Sequence, residues 1–230
     1  MGLEGLGREV VYTEERWRVL EAKRSKAARV MEALRAPSYA FGSVARGDVD
    51  EDSDVDVVIL DAVQPYMVEL WLEAAGLRPF SKEIVQATPS YVPKAYIYLD
   101  PDREVVVSFP LARLRPRELE FYRWGGVVDL AGIRAGRRVP GVNKELNLIV
   151  PTPRGHLEVP VRGNEPLVLR VLGVGEGILE ERLSVLGRRR EVGRTGVFID
   201  VEVPADQPLE EAIAELAERN EFFRRALGLP

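Results

Sequence analysis

The residues best suited to chemistry lie in one run, Phe41 to Asp56, which reads FGSVARGDVDEDSDVD. Asp54 and Asp56 are separated by a single apolar residue, and Asp54–Leu60, DVDVVIL, has the β-branched content and length of a buried strand. Side chains two apart on a strand share a face, so both carboxylates project together while Val55, Val57 and Ile59 turn toward a core. Two carboxylates side by side repel each other, and one of them would raise its pKa. A hard divalent cation, Mg²⁺ or Mn²⁺, removes that conflict because it prefers carboxylate, water and phosphate oxygens. The residues just upstream suit the phosphates. Gly42 lets backbone amides approach closely, and the Ser43 hydroxyl is a donor for a phosphate oxygen. A helical turn beginning at Val44 would add its unpaired N–H groups. Arg46, one turn further on, has the charge and fork geometry to pair with a β- or γ-phosphate. Ser53 stands where it could orient a carboxylate.

Phe41-Gly42-Ser43, ten intervening residues, then Asp54-Val55-Asp56 resembles the signature of the DNA polymerase β-like nucleotidyltransferase superfamily. Gly-Ser-x-Ala-Arg-Gly followed by Ser-Asp-x-Asp is similar to the form found in small stand-alone nucleotidyltransferases, archaeal ones included. The likeness is strong over residues 39–60 and compatible with the elements up to about residue 124. It implies that Ser43 contacts phosphate, that Asp54 and Asp56 bind Mg²⁺ (or Mn²⁺), and that a small mixed sheet is flanked by helices. It also implies a third carboxylate on a later strand, completing the metal site and serving as base toward an acceptor hydroxyl. The matching strand here is Glu104–Phe109. Counted back from Pro110, the acidic position falls near Val105, so Glu104 is the assignment, with Asp100 and Asp102 in the preceding turn as alternatives. A one-residue shift would turn Glu104 to the other face.

The activity implied is transfer of an NMP group from a nucleoside triphosphate to an acceptor hydroxyl, with release of pyrophosphate. An RNA end, a protein hydroxyl and a small molecule all fit as acceptor. Two rival readings keep the fold without the turnover: a nucleotide- or RNA-binding protein, and an antitoxin-like subunit that binds a partner protein.

Several elements must position these residues. Thr13 suits an N-cap, and Trp17, Leu20, Ala27, Val30, Met31 and Leu34 recur at helical spacing until Pro37. Tyr39–Phe41 reads as a short strand. Pro65 opens a helix that Gly76 can end. Ile84–Ala87 reads as a strand, and Ala95–Leu99 and Val105–Phe109 as a hairpin around Asp100-Pro101-Asp102-Arg103. Residues 116–124 look helical. Gly, Pro and Arg cluster over 131–146, and a domain boundary is placed there. Beyond it, Leu146–Val150, Leu157–Val161, Leu167–Leu172 and Val197–Val203 read as strands, Ile178–Leu186 as a helix, and a last helix starts after Asp206. The expected class is α+β: a nucleotidyltransferase-type domain over 1–130 and a smaller α+β domain over 131–230.

Composition bounds the alternatives. With 46% hydrophobic and 30% charged residues among 230, the chain is a globular type. No run approaches the roughly 18 apolar residues of a membrane span, and no signal segment opens the sequence, so a cytoplasmic location is expected. Cysteine is absent, which removes thiolate metal sites and a cysteine nucleophile. Arg outnumbers Lys 27 to 5, usage that fits a thermophile or a GC-rich genome. The net charge of −5 argues against a wholesale nucleic-acid binder, although residues 111–195 hold 16 Lys/Arg against 10 Asp/Glu. Neither frame of the acidic run has the turn glycine and terminal glutamate of an EF-hand. Gly173-Val-Gly175-Glu-Gly177 reads as a strand-to-helix turn, the lone His156 as a surface residue, and Tyr122 and Trp124 as inward-packed. Arg188, Arg189, Arg190 and Arg194 form a basic run with the charge to meet phosphates.

Overall fold

A computed structural model of the chain describes residues 5–192 and 196–229. Numbered along the chain, its elements begin with β1 (Arg8–Val11), α1 (Glu14–Ala33), β2 (Ser38–Phe41), α2 (Ser43–Arg46), β3 (Val55–Ile59) and α3 (Pro65–Ala74). There follow β4 (Ser81–Gln86), β5 (Lys94–Tyr98), β6 (Val105–Pro110), α4 (Pro116–Gly125), β7 (Val127–Asp129), α5 (Leu130–Arg134) and β8 (Gly141–Val142). The remainder comprises β9 (Asn147–Thr152), β10 (Gly155–Pro160), α6 (Glu165–Leu172), α7 (Glu176–Val192), β11 (Ile199–Val203), α8 (Leu209–Arg219) and α9 (Glu221–Ala226). The class is α+β, as the pattern implied.

Contacts divide the chain into two units that interleave in sequence, not at a single cut near residue 130. The first comprises residues 1–25, 40–53 and 116–195; the second comprises 26–39, 54–115 and 196–230. The divisions fall inside α1 and inside β2. The last strand and the last two helices therefore belong with the acidic strand, which the sequence had assigned to a different domain.

In the first unit, β1, β10, β9 and β8 form an antiparallel sheet in that order. Trp124, Leu148, Val159, Val161, Val168 and Ile178 fill its core. Tyr122 and Trp124 are buried, and Tyr122 packs edge-on against Phe41 at 5.3 Å between ring centres. Thr13 does cap α1, its hydroxyl accepting the Arg16 amide at 3.2 Å. Leu167–Leu172, expected as a strand, lies in helix α6. Pro166 sits in its first turn and Gly173 closes it at φ +61°, so the local caps outweigh an apolar run that a strand would also tolerate. The Gly173–Gly177 segment accordingly joins two helices. Of the basic run, Arg194 and the side chains of Arg189 and Arg190 lie outside the described residues.

In the second unit the strand order is β11-β4-β5-β6-β3, with the start of β2 beyond β3. β11, β4, β5 and β6 pair antiparallel in turn, whereas β3 and β6 run parallel, so the sheet is mixed. β3 buries Val55, Val57 and Ile59 completely, each contributing about 1.5–3 kcal/mol. That burial fixes the register. A one-residue slip would bring the two aspartates into the core and turn the apolar residues out. On the same side, Val107, Phe109, Ile97, Ala95 and Ile84 continue the layer. Lys82 also points into it and is satisfied there by Glu69 of α3 at 2.7 Å and by the Gln207 carbonyl at 2.5 Å. The final helix of the sequence reading is two helices, α8 and α9, because Asn220 stops the first and caps the second through the Phe223 amide.

Candidate active site

The glycine-serine segment belongs to the first unit. Gly42 has φ +70°, and a β-carbon there would meet only the tip of Arg46, 4.0 Å away. The glycine is thus required by its backbone conformation, which turns the chain sharply from β2 into the single turn of α2. Its amide donates to the Gly126 carbonyl at 3.0 Å, and its carbonyl accepts from the Arg46 amide at 3.0 Å. Ser43 is the first residue of α2 and is half-buried. Gly47 closes the turn at φ +100°, its amide donating to the Ser43 carbonyl at 2.6 Å.

Arg46 takes a different place from the one its spacing suggested. Its side chain is only 7% exposed. Nε donates to Asp48 Oδ1 at 2.9 Å, Nη2 to Asp48 Oδ2 at 3.0 Å, and Nη1 to the Gly125 carbonyl at 2.7 Å. All three guanidinium nitrogens are engaged within the fold, so Arg46 holds α2 and the start of the acidic loop and does not present its fork outward.

Three further residues, absent from the sequence reading, fasten the same segment. Arg24 of α1 donates through Nε to the Val44 carbonyl at 3.1 Å and through Nη2 to the Ala45 and Arg137 carbonyls. Burial and the nearby Arg138 lower its pKa to about 10, which leaves it charged at neutral pH. Lys23 donates to the Glu51 carbonyl at 2.8 Å and to the Ser53 carbonyl at 2.6 Å, drawing in the loop that ends at Asp54. Tyr12 donates to the Gly47 carbonyl at 2.8 Å. For two of them the signal was present as Lys23 and Arg24, basic residues at helical spacing from Leu20, Ala27, Val30 and Met31 and buried on that same face. Ser53 closes the loop on itself: its hydroxyl donates to Asp50 Oδ1 at 2.7 Å and accepts the Asp50 amide at 3.0 Å.

His156 is not on the surface. It is 1% exposed, with Nδ1 2.6 Å from the Tyr12 hydroxyl and Nε2 3.2 Å from Glu158 Oε1. Alternation along β10 puts it on the face opposite Leu157 and Val159, where the Tyr12 ring packs edge-on at 5.4 Å between ring centres. Burial pushes the Tyr12 hydroxyl up to about 12. Burial likewise lowers the pKa of His156, against the opposing pull of Glu158.

The carboxylates belong to the second unit. Asp54 is exposed and Asp56 half-buried, both on the side of β3 opposite Val55, Val57 and Ile59. Asp56 is the register partner of Val106, and Val55 of Val105. The Val55 amide donates to the Glu104 carbonyl at 2.7 Å, one of the bonds that pair Val55 with Val105. Glu104 stands just ahead of the paired register, which begins at Val55 and Val105. Asp100 fixes this corner, its carboxylate accepting the Glu104 amide at 3.0 Å and the Val105 amide at 2.7 Å. Asp100 is thereby occupied as a structural cap. Both Glu104 oxygens accept from Lys26 Nζ at 2.7 Å. Among the described residues no group of three His, Cys, Asp or Glu side chains stands ready as a metal cage. The pair on β3 still suits a hard cation: two oxygen donors on one face, one of them open to solvent.

No curated protein matches the chain. Residues 25–111 match the model of the family described as Nucleotidyltransferase domain, a stretch holding Gly42, Ser43, Asp54, Asp56 and Glu104. Among the described residues no helix is long and apolar enough to cross a membrane. Residues 25–111 are thus similar to a nucleotidyltransferase domain, consistent with the polymerase β-like nucleotidyltransferase superfamily.

Proposed function

We propose that the protein transfers an NMP group from a nucleoside triphosphate to an acceptor hydroxyl. The acceptor oxygen forms a bond to the α-phosphorus, the bond from that phosphorus to the β-phosphate bridging oxygen breaks, and pyrophosphate leaves. The observation that supports this reading is the alternation along β3, which buries Val55, Val57 and Ile59 and leaves Asp54 exposed and Asp56 half-buried. Asp54 and Asp56 are the proposed ligands of Mg²⁺ or Mn²⁺. Such an ion, when bound, neutralises phosphate charge and orients the triphosphate. Gly42 and Ser43 hold phosphate oxygens, Ser43 through its hydroxyl. Glu104 takes the proton of the attacking hydroxyl. Arg46 acts by keeping α2 in place. Positioning and charge neutralisation supply most of the acceleration in such reactions, because the displacement needs little covalent help.

A second reading, nucleotide binding without turnover, is favoured by one contact. Lys26 engages both oxygens of Glu104, the group on which proton removal depends. Incubation with each labelled triphosphate, Mg²⁺ or Mn²⁺, and RNA, protein or small hydroxyl acceptors separates the two. Wild-type transfer that falls about 100-fold or more in the Asp54→Asn/Asp56→Asn variant supports the enzyme. Equal background transfer by both, with nucleotide still bound, supports the second reading.

A further inference from the structure

We infer that Tyr12 and His156 are positioning residues for the turn that carries Ser43: the charge on the imidazole decides whether the Tyr12 hydroxyl proton is committed to the Gly47 carbonyl. The inference rests on the reading of Gly42 and Ser43 as phosphate holders. A line of contacts runs through the first unit with Tyr12 and His156 both buried in it. Glu158 Oε1 is 3.2 Å from His156 Nε2, Nδ1 is 2.6 Å from the Tyr12 hydroxyl, and that hydroxyl is 2.8 Å from the Gly47 carbonyl. Gly47 is where the line reaches the turn. Its amide donates to the Ser43 carbonyl at 2.6 Å, and a β-carbon at its φ of +100° would stand 2.4 Å from Arg138 Cδ. Asp48 follows directly and holds Arg46, so Tyr12 grips the chain where the turn passes into the acidic loop.

The three contacts need three hydrogens, and a neutral imidazole with one tyrosine hydroxyl brings only two. With the ring hydrogen on Nε2, toward Glu158, the hydroxyl proton has two acceptors, Nδ1 and the Gly47 carbonyl, and is divided between them. With the ring hydrogen on Nδ1, an imidazole lone pair meets the Glu158 carboxylate. An imidazolium supplies the missing hydrogen: Nε2 donates to Glu158, Nδ1 donates to the tyrosine oxygen, and the hydroxyl donates to Gly47 alone. Charged groups surround the ring. Glu158 lies on its own strand and accepts from Arg8 of β1 at 2.7 Å. Asp48 favours the charged ring and Arg16 of α1 opposes it, the Arg16 guanidinium lying 4.5 Å from the Tyr12 ring centre. Arg138 lies 5.9 Å from the same centre and donates to the Gly155 carbonyl at 2.7 Å. Glu9 of β1 stands opposite Leu157 and so belongs to the other face. A phosphate held at the turn favours the state in which the turn is gripped hardest. By reciprocity, bound nucleotide strengthens the hold of His156 on its proton, and the protonated protein binds nucleotide more tightly.

His156 is the only histidine of the chain, so ¹⁵N magnetic resonance of the full protein reports its ring without ambiguity. Saturating α,β-methylene-ATP, -GTP, -CTP or -UTP with Mg²⁺ should raise the pKa of His156. The protonated form should bind the preferred analogue about threefold to tenfold more tightly than the neutral form. Tyr12→Phe keeps an aromatic ring beside Trp17 and the surrounding charges, and should abolish that difference with circular dichroism as in wild type. In wild type the ¹³C signal of the Gly47 carbonyl should move with the same midpoint as the imidazole. A Gly47 carbonyl indifferent to that titration overturns the inference without recourse to a variant. An equal rise of the His156 pKa in folded Tyr12→Phe also overturns it, because attraction between phosphate and imidazolium would then suffice. If no analogue binds, the reading of the Ser43 turn fails and the inference with it. If analogues bind and His156 does not respond, the inference alone fails.

Discussion

At the scale of single residues, the division of labour among charged groups follows burial. Arg46 and Asp48 are both nearly enclosed, with side-chain exposures of 7% and 9%, and neither can lose its partner cheaply. Arg46→Ala should cost about 3–5 kcal/mol in urea unfolding, because it strands a buried carboxylate and the Gly125 carbonyl. Arg46→Ala/Asp48→Ala should recover part of that loss. Triphosphate affinity of the folded fraction should stay as in wild type, whereas Ser43→Ala should weaken it about threefold to tenfold. A loss of nucleotide affinity in Arg46→Ala, measured on protein shown to be folded, would return the arginine to the phosphates. The sequence marked Arg46 by its spacing from Gly42, which is local. Its partner carbonyl at Gly125 is 79 residues away, and nothing in a single chain announces such a contact.

Among elements, what was legible is what alternation or capping writes locally. β3 could be read because acids and β-branched residues alternate, and its neighbour β6 because a turn of Asp, Pro and Asp precedes it. The face on which Glu104 falls could not be read, since it depends on which residue of β6 stands opposite Asp56. The parallel register puts Val106 opposite Asp56 and begins at Val105, leaving Glu104 just ahead of the strand. α6 was misread because Leu167–Leu172, apolar except for Arg170, satisfies a buried strand as well as a helix. α1 was correctly placed but only half understood: its buried face also carries Lys23, which holds the acidic loop. Lys23→Met should therefore quicken amide exchange over Asp50–Ser53 by about tenfold or more, while α1 itself stays protected. Exchange in the loop as slow as wild type would show that the Asp50–Ser53 turn holds without the lysine.

Over the whole molecule, one buried imidazole ties stability to pH. Burial lowers the pKa of His156 from its ordinary 6.5, so the folded protein prefers the neutral ring. Between that value and the lower folded one, the unfolded chain takes up a proton that the folded chain refuses. Stability is then full above about pH 6.5 and declines as pH falls, by at most about 1.4 kcal/mol per pH unit. Glu158 acts in a lower window. Burial alone would raise its pKa, but hydrogen bonds from Arg8 and His156 lower it, so its contribution is lost only as pH falls through the carboxylate range. His156→Gln should flatten the decline between about pH 7.5 and 5, as read from urea midpoints; a slope equal to wild type would assign the dependence to other groups.

The interleaving of the two units bears on how the chain is made. β4 stands second from one margin of its sheet, and the strand that covers it, β11, comes more than a hundred residues later. During synthesis the acid-bearing sheet is laid down early but keeps β4 as a bare margin until residue 203 has left the ribosome. A bare strand margin is a template for pairing with another nascent chain. A ribosome stalled after β10 would thus release an adhesive intermediate, not a working fragment.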